Sequence, residues 1–229
     1  MNDVPTNLTP HHNDEDQFYN LGPADILDAV EQIGVRATGK TLALNSYENR
    51  VYQVEIELPA ETITSTYDTY RVIKFYRPKR WSEEQIREEH ALLDLLREND
   101  IPVIAPLPFD DGDSLRQLAH SGLFFCIYKK FGGRHRAELP DSELKTVGRL
   151  LARTHNIAQQ IPTRTRLTLN AETYGRANME LLLDSPFIPE ESKGSYRNVV
   201  EPILQIASQR LQAATSIRIH GDCHLGNVL

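Results

Sequence analysis

Cysteine is scarce in this chain. Cys126 and Cys223 are the two among 229 residues, and they lie far apart. They form no paired framework, which suits a reducing compartment. Long apolar runs are missing as well: none approaches the roughly 18 residues that suggest a membrane span. The opening MNDVPTNLTPHHNDEDQFYN lacks a basic start followed by an apolar stretch, so it does not read as a signal peptide. Positive charge is not in surplus either. A net charge of −7 and a pI near 5.6 argue against general affinity for nucleic acid or anionic membrane. The local spot Arg77-Pro78-Lys79-Arg80 reads as solvated surface. No internal repeat and no low-complexity tract occur. A cytoplasmic monomer with no nucleic-acid or membrane partner is the expectation.

What is present is ordinary globular material, 40% hydrophobic and 25% charged, with enough length for one large domain or two small lobes. Residues 1–20 are polar, with an acidic patch at Asp14-Glu15-Asp16, and read as a mobile tail. PADILDAVEQIG reads as a helix, with Pro23 near its start, Gly34 closing it, and Ile26, Leu27, Val30 and Ile33 at helical spacing. LALNSYENRVYQVEIEL then suggests two antiparallel strands joined by a polar loop at Asn45 to Arg50. YRVIKFY is a third strand, rich in β-branched and aromatic residues. SEEQIREEHALLDLLREN continues as a helix capped by Ser82. IPVIAPLPFDDGDSLRQLAHSGLFFCIYKK supplies two more strands across an Asp-Gly turn.

Gly132-Gly133 marks a break, and the remainder of the chain reads as helices: DSELKTVGRLLARTHNIAQQ, the region of ANMELLLD, and SYRNVVEPILQIASQRLQAA. The fold class is therefore α+β. A five-stranded antiparallel lobe over residues 21–130 precedes a mainly helical lobe over 131–229, and clefts between such lobes are favoured ligand sites.

Three features point to phosphoryl-transfer chemistry. In IRIHGDCHLGNVL, His220, Asp222 and Asn227 come after a short strand-like run, with Asp222 and Asn227 five positions apart. Kinase catalytic loops use that register: the Asp orients or accepts the proton of the attacking hydroxyl, and the Asn offers an oxygen to Mg²⁺. By itself the match is no better than a strand-ending turn whose Asp and Asn satisfy local backbone groups. Second, Lys74 lies inside the apolar third strand, where alternation puts Val72, Lys74 and Tyr76 on one face. Its ordinary reading is a snorkelling edge residue. In the next helix, however, Glu89 shares a face with Ile86, Leu93 and Leu96, whereas Glu88 points elsewhere and reads as solvated. A carboxylate on an apolar face needs a cationic partner, and Lys74 is the candidate. Third, the loop Asn45-Ser46-Tyr47-Glu48-Asn49-Arg50 occupies the place of a nucleotide-covering loop but contains no glycine. Ser46 offers a hydroxyl there.

The order strand, loop, strand, strand-Lys, helix-Glu, two strands, connector, helices, HGDxHxxN is far more specific than its parts. HGDCHLGN and GRLLARTH resemble the loop and preceding helix of the aminoglycoside-phosphotransferase-like kinases. LNSYENRVYQ, KFYRP-x-RW, EEH, GGR and IHGDCH more narrowly resemble the bacterial stress response kinase A family, and that likeness covers nearly the whole chain from about residue 21. The resemblance implies a bilobal serine/threonine protein kinase using ATP and Mg²⁺, with a cytoplasmic role against stress-linked (reactive oxygen) cell death. It implies that Asp222 accepts the proton, Asn227 binds Mg²⁺, Ser46 contacts ATP, and Lys74 with Glu89 anchors phosphate. It makes Ile127, Tyr128 and Lys129, running on to Lys130, the hinge against which adenine pairs. The family also continues into a strand with a second Mg²⁺-binding Asp beyond Leu229. The chain is therefore expected to be a C-terminally incomplete piece that does not catalyse alone.

Three rivals remain. Most enzymes with this loop phosphorylate small molecules such as sugars, choline or aminoglycosides. A non-catalytic metal module using His220, Asp222, Cys223 and His224 is disfavoured, because consecutive ligands diverge. His224 then reads as a supporting residue, and Cys223 and His155 as packing residues. A pseudokinase is disfavoured because Lys74, Glu89, Asp222 and Asn227 all serve charge stabilisation rather than adenine binding.

Overall fold

The structure is a computed structural model that describes Phe18 and residues 21–133 and 138–228. The expected tail therefore lies outside the described residues apart from Phe18. That ring is buried in the main core, with the Arg50 guanidinium 5.6 Å from its centroid.

The first helix, α1 (Pro23–Glu31), starts at a proline whose missing N–H costs nothing there, and the Gly22 N–H donates to Asp25 Oδ2 at 2.9 Å. It buries Ile26, Ala29 and Val30. Then come β1 (Arg36–Leu44), β2 (Arg50–Glu57) and β3 (Tyr70–Phe75), followed by α2 (Glu83–Glu98). Strands β4 (Arg116–Gln117) and β5 (Phe124–Lys129) complete an antiparallel sheet ordered β1-β2-β3-β5-β4. The α+β class and the five antiparallel strands are as expected. At α2 the Ser82 cap is present: Ser82 Oγ accepts from the Gln85 N–H at 3.2 Å, and Gln85 Oε1 accepts from the Ser82 N–H at 3.0 Å.

Two boundaries differ from expectation. Strand β1 begins at Arg36 rather than near Leu42, and its pairing with β2 shifts register between Ala37 and Thr41, where Gly39 has φ +90°. Its early residues are exposed and held by polar contacts, Thr38 Oγ1 to Glu55 Oε2 at 2.8 Å and Lys40 Nζ to Glu55 Oε2 at 3.0 Å. An exposed polar strand leaves no alternating apolar pattern to read. The second difference is the pair of strands assigned across the Asp-Gly turn. Residues 101–109 form no strand; Pro102, Pro106 and Pro108 have no N–H to donate. The turn closes locally instead, Phe109 N–H to Asp113 O at 2.7 Å, and both strands come after it as a hairpin over Leu118–Leu123.

The sheet has two packed faces. One buries Val54, Ile56, Ile73, Phe75, Phe125 and Ile127 under α1, with the Phe75 and Phe125 rings 5.7 Å apart. The other buries Tyr76, Cys126, Ile86 and Leu115 beside Trp81, Phe124 and Tyr128. Each large apolar side chain so buried contributes about 1.5–3 kcal/mol. The helix α3 (Asp141–Ala158) places Ile157 against Leu96 and Ile101.

Backbone proximity groups the described residues up to Ile161 with those from His220 onward as one compact unit, and Pro162–Ile219 as another. Within the first unit α3 packs on α2 through Ile157 and Leu96. The second unit holds a wide turn at Ala171–Arg176, α4 (Ala177–Asp184) and α5 (Glu190–Leu211). Its core is Met179, Leu183 and Leu204. Gly175 permits the approach of Leu204, since a Cβ there would lie 2.2 Å from Leu204 Cδ2.

Candidate active site

Strand β3 delivers Lys74 to the face that carries Tyr76. In the ladder Lys74 stands opposite Val51 on one side and Cys126 on the other. Its ammonium lies 3.4 Å from Glu89 Oε1 of α2 and 4.3 Å from the centroid of the Tyr76 ring. The two charged side chains are 20% and 34% exposed, which keeps their attraction above that of a fully solvated pair. The pairing inferred from residue patterns alone is therefore present. Glu88, one residue earlier, is half-buried rather than solvated.

Asp222 and Asn227 are also brought together. Asn227 Nδ2 donates to the Asp222 backbone carbonyl at 2.7 Å and to its carboxylate Oδ2 at 3.0 Å. The amide is thereby oriented nitrogen-inward, which leaves Asn227 Oδ1 as an outward oxygen donor. Gly221 reaches φ +81° at the bend before Asp222, a conformation glycine adopts without strain. His224 stabilises the loop: its Nδ1 accepts from the Gly226 N–H at 3.0 Å. Its Nε2 sits 3.3 Å from Asn227 Nδ2 and 3.6 Å from Asp222 Oδ2. His220 Nδ1 accepts from the Asp222 N–H at 3.3 Å. The Asp222 side chain is 75% exposed. Cys223 is exposed too, which corrects its reading as a packing residue; the loop's contacts are made by its polar neighbours. His155 is half-buried in the last turn of α3, and its Nε2 has no partner among the described residues. Among the described residues no group of three or more His, Cys, Asp or Glu converges to hold a metal, so His220, Asp222, Cys223 and His224 form no such cluster.

Ser46 lies in the exposed turn between β1 and β2, where its Oγ accepts from the Asn49 N–H at 3.2 Å. The turn borders a cavity of about 270 Å³ lined by Phe18, Ser46, Tyr47, Arg50 and Arg77. Arg80 pairs with Glu48, and the Arg77 N–H donates to Asn49 Oδ1 at 3.4 Å, tying this turn to the segment after β3.

Ile127, Tyr128 and Lys129, the residues expected to form a hinge, end β5. The Tyr76 N–H donates to Phe124 O at 2.9 Å, which sets the phase of the β3–β5 ladder. Antiparallel alternation then directs the backbone groups of Tyr128 to Val72, and those of Ile127 and Lys129 away from β3. The Leu107 N–H occupies the Ile127 carbonyl at 2.7 Å, and β4 reaches only Phe124 and Phe125. Lys129 thus has the outward-facing backbone of the three.

Beneath Lys74 runs a polar chain that residue patterns missed. His90 is 3% exposed; its Nε2 lies 3.0 Å from Tyr76 Oη and its Nδ1 2.8 Å from Ser114 Oγ. Tyr76 Oη lies 3.4 Å from Cys126 Sγ, and Cys126 Sγ lies 3.3 Å from Tyr128 Oη. Burial pushes the His90 pKa down to about 4 and the Tyr76 phenol and Cys126 thiol upward, so the chain is neutral. The available signal was His90 at i+4 from Ile86 on the buried face.

Comparison with known proteins agrees with this geometry. Residues 40–229 match the phosphotransferase enzyme family. The chain is 37% identical over 215 residues to the stress response kinase A of Salmonella choleraesuis (strain SC-B67), covering 93% of this chain and 61% of that protein. It is 36% identical to a protein named serine/threonine protein kinase RdoA of Salmonella typhimurium, with the same two coverages. The chain therefore spans 61% of the length of these relatives. Among solved structures, amicoumacin kinase hAmiN, in complex with AMP-PNP, Ca²⁺ and Ami, matches with a TM-score of 0.67 at 17% identity, over 94% of this chain and 62% of that one. Spectinomycin phosphotransferase APH(9)-Ia, in complex with ADP and spectinomycin, matches with a TM-score of 0.60 at 14% identity, over 92% and 65%. These two show a shared fold.

Proposed function

We propose, from the premise that this chain belongs to the phosphotransferase enzyme family, that the whole protein is an ATP-dependent serine/threonine kinase of the bacterial stress response. The observation that carries the proposal is the Lys74–Glu89 ion pair at 3.4 Å, set on a packed sheet face. A lysine held in this way offers a fixed positive charge to a nucleotide phosphate. The exposed Asp222 carboxylate orients and deprotonates the acceptor hydroxyl. Asn227 Oδ1, turned outward because its amide nitrogen is bound by Asp222, is a hard oxygen donor suited to Mg²⁺. The metal, when bound, neutralises charge on the phosphates. Lys129 contributes the backbone groups that pair with adenine, and Ser46 binds nucleotide from the turn that replaces a glycine-rich loop. The setting is cytoplasmic, and no described helix is long and apolar enough to cross a membrane.

One of these relatives supports a protein acceptor by name, serine/threonine protein kinase RdoA. The decisive assay incubates full-length protein with γ-labelled ATP and either a generic protein acceptor or a panel of small alcohols. Label on serine or threonine of protein is expected. Label confined to a small alcohol would establish a small-molecule kinase instead.

A further inference from the structure

The chain Ser114–His90–Tyr76–Cys126–Tyr128 joins the turn before β4, α2, the end of β3 and β5 through successive contacts of 2.8 to 3.4 Å. Three features tie it to the charged pair above it. His90 directly succeeds Glu89 in α2. The Tyr76 ring, whose hydroxyl His90 holds, lies 4.3 Å below the Lys74 ammonium. Cys126 stands opposite Lys74 in the ladder. A second tie runs in parallel on the outer side of the same helix: Arg87 grips Asp113 with two bonds, at 2.7 and 3.0 Å. Arg87 and His90 are one helical turn apart, and both fasten α2 to residues 113 and 114.

We propose that His90 is a positioning residue for the Lys74–Glu89 pair. Through Tyr76 it fixes the aromatic ring on which the Lys74 ammonium rests, and through Ser114 it fixes the helical turn that presents Glu89. An ammonium is drawn to a ring face, so a ring free to turn would offer Lys74 a second resting place away from the phosphates. The hydroxyl bond to His90 removes that freedom. The imidazole suits the task because its two nitrogens reach two elements at once, which an apolar side chain of equal size cannot do. This inference rests on Lys74 anchoring nucleotide phosphate.

The test uses the full-length protein, labelled phosphoryl transfer and varied ATP, on Tyr76→Phe, His90→Phe, the double variant, His90→Gln and Lys74→Met. Tyr76→Phe removes one oxygen and keeps the ring, so it preserves the fold; melting temperature is followed in all five. Tyr76→Phe and His90→Phe should each raise KM for ATP by about tenfold, with a smaller change in kcat, as expected for a lost buried hydrogen bond. The double variant should be no worse than either single one, because both cut the same link. His90→Gln, whose amide can reach the Tyr76 hydroxyl, should recover most of the loss. A raised KM in Lys74→Met beside unchanged values in Tyr76→Phe and His90→Phe overturns the role of His90 alone, as does a double variant whose losses multiply. An unchanged KM in Lys74→Met overturns the phosphate-anchor reading and this inference with it.

Discussion

Lys74 with Glu89 and Asp222 with Asn227 are both short-range pairs, but opposite means hold them. Lys74 and Glu89 come from different elements, 15 residues apart in sequence, and meet because Ile86 of α2 packs in one cluster with Tyr76, just after β3, and Cys126 of β5. Their side chains are 20% and 34% exposed. Asp222 and Asn227 are five residues apart in one turn and are joined by local hydrogen bonds, and the Asp222 side chain is 75% exposed. A tertiary pair is rigid and expensive to disturb. A local one adapts to what binds it, and loses function before it loses fold.

The largest expected effect tests the local side. In the full-length protein Asp222→Ala should slow phosphoryl transfer by about a thousandfold, a usual magnitude for loss of a general base, while thermal melting stays nearly unchanged. A rate preserved in a folded variant would remove Asp222 from the chemistry. A large fall in melting temperature would break the contrast by giving the loop a structural role.

The next effect tests the tertiary side and depends on pH. Buried His90 titrates at about 4 in the folded chain, against 6.5 for an ordinary imidazole. As pH falls through 6.5 the unfolded chain takes up a proton that the folded one does not, and stability drops until about pH 4. Between pH 7 and 5 the loss should be about 2 kcal/mol, read by denaturant unfolding. His90→Phe should flatten that slope, and an unchanged slope would mean His90 is not the group responsible. Asp113 adds a separate acid step: the Arg87 guanidinium holds its carboxyl down to about 2, so its contribution is lost as pH falls from about 4 toward 2.

The smallest effect belongs to Ser46. Its hydroxyl makes one exposed bond, to the Asn49 N–H, so Ser46→Ala should lower kcat/KM by only about threefold to tenfold. A loss as large as that of Asp222→Ala would move the weight of nucleotide binding onto this turn.

The same contrast explains what could be read from sequence. Lys74, the Ser82 cap and the face shared by Ile86 and Glu89 are dictated by period and spacing, and the structure places them as read. The local register of Asp222 and Asn227 was legible for the same reason. Strand β1 was placed too late, because an exposed polar strand carries no hydrophobic alternation. The prolines at 102, 106 and 108 sat inside a run whose apolar residues suggested a strand. The stretch Ile127 to Lys129 was legible as a strand end, but which of its backbone groups face outward depends on the ladder phase set by Tyr76 and Phe124. The His90 chain was invisible for a stronger reason. It joins residues 76, 90, 114, 126 and 128, and only tertiary pairing brings them together.

That the tertiary pair binds nucleotide while the local pair performs the transfer is tested most directly by Mg²⁺-ATP affinity in the full-length protein, measured calorimetrically for Asp222→Ala and Lys74→Met. Asp222→Ala should bind within about threefold of the parent, and Lys74→Met at least tenfold more weakly, since an ion–phosphate contact is worth about 1.5–3 kcal/mol. Equal losses in the two variants, or a loss confined to Asp222→Ala, would contradict that division.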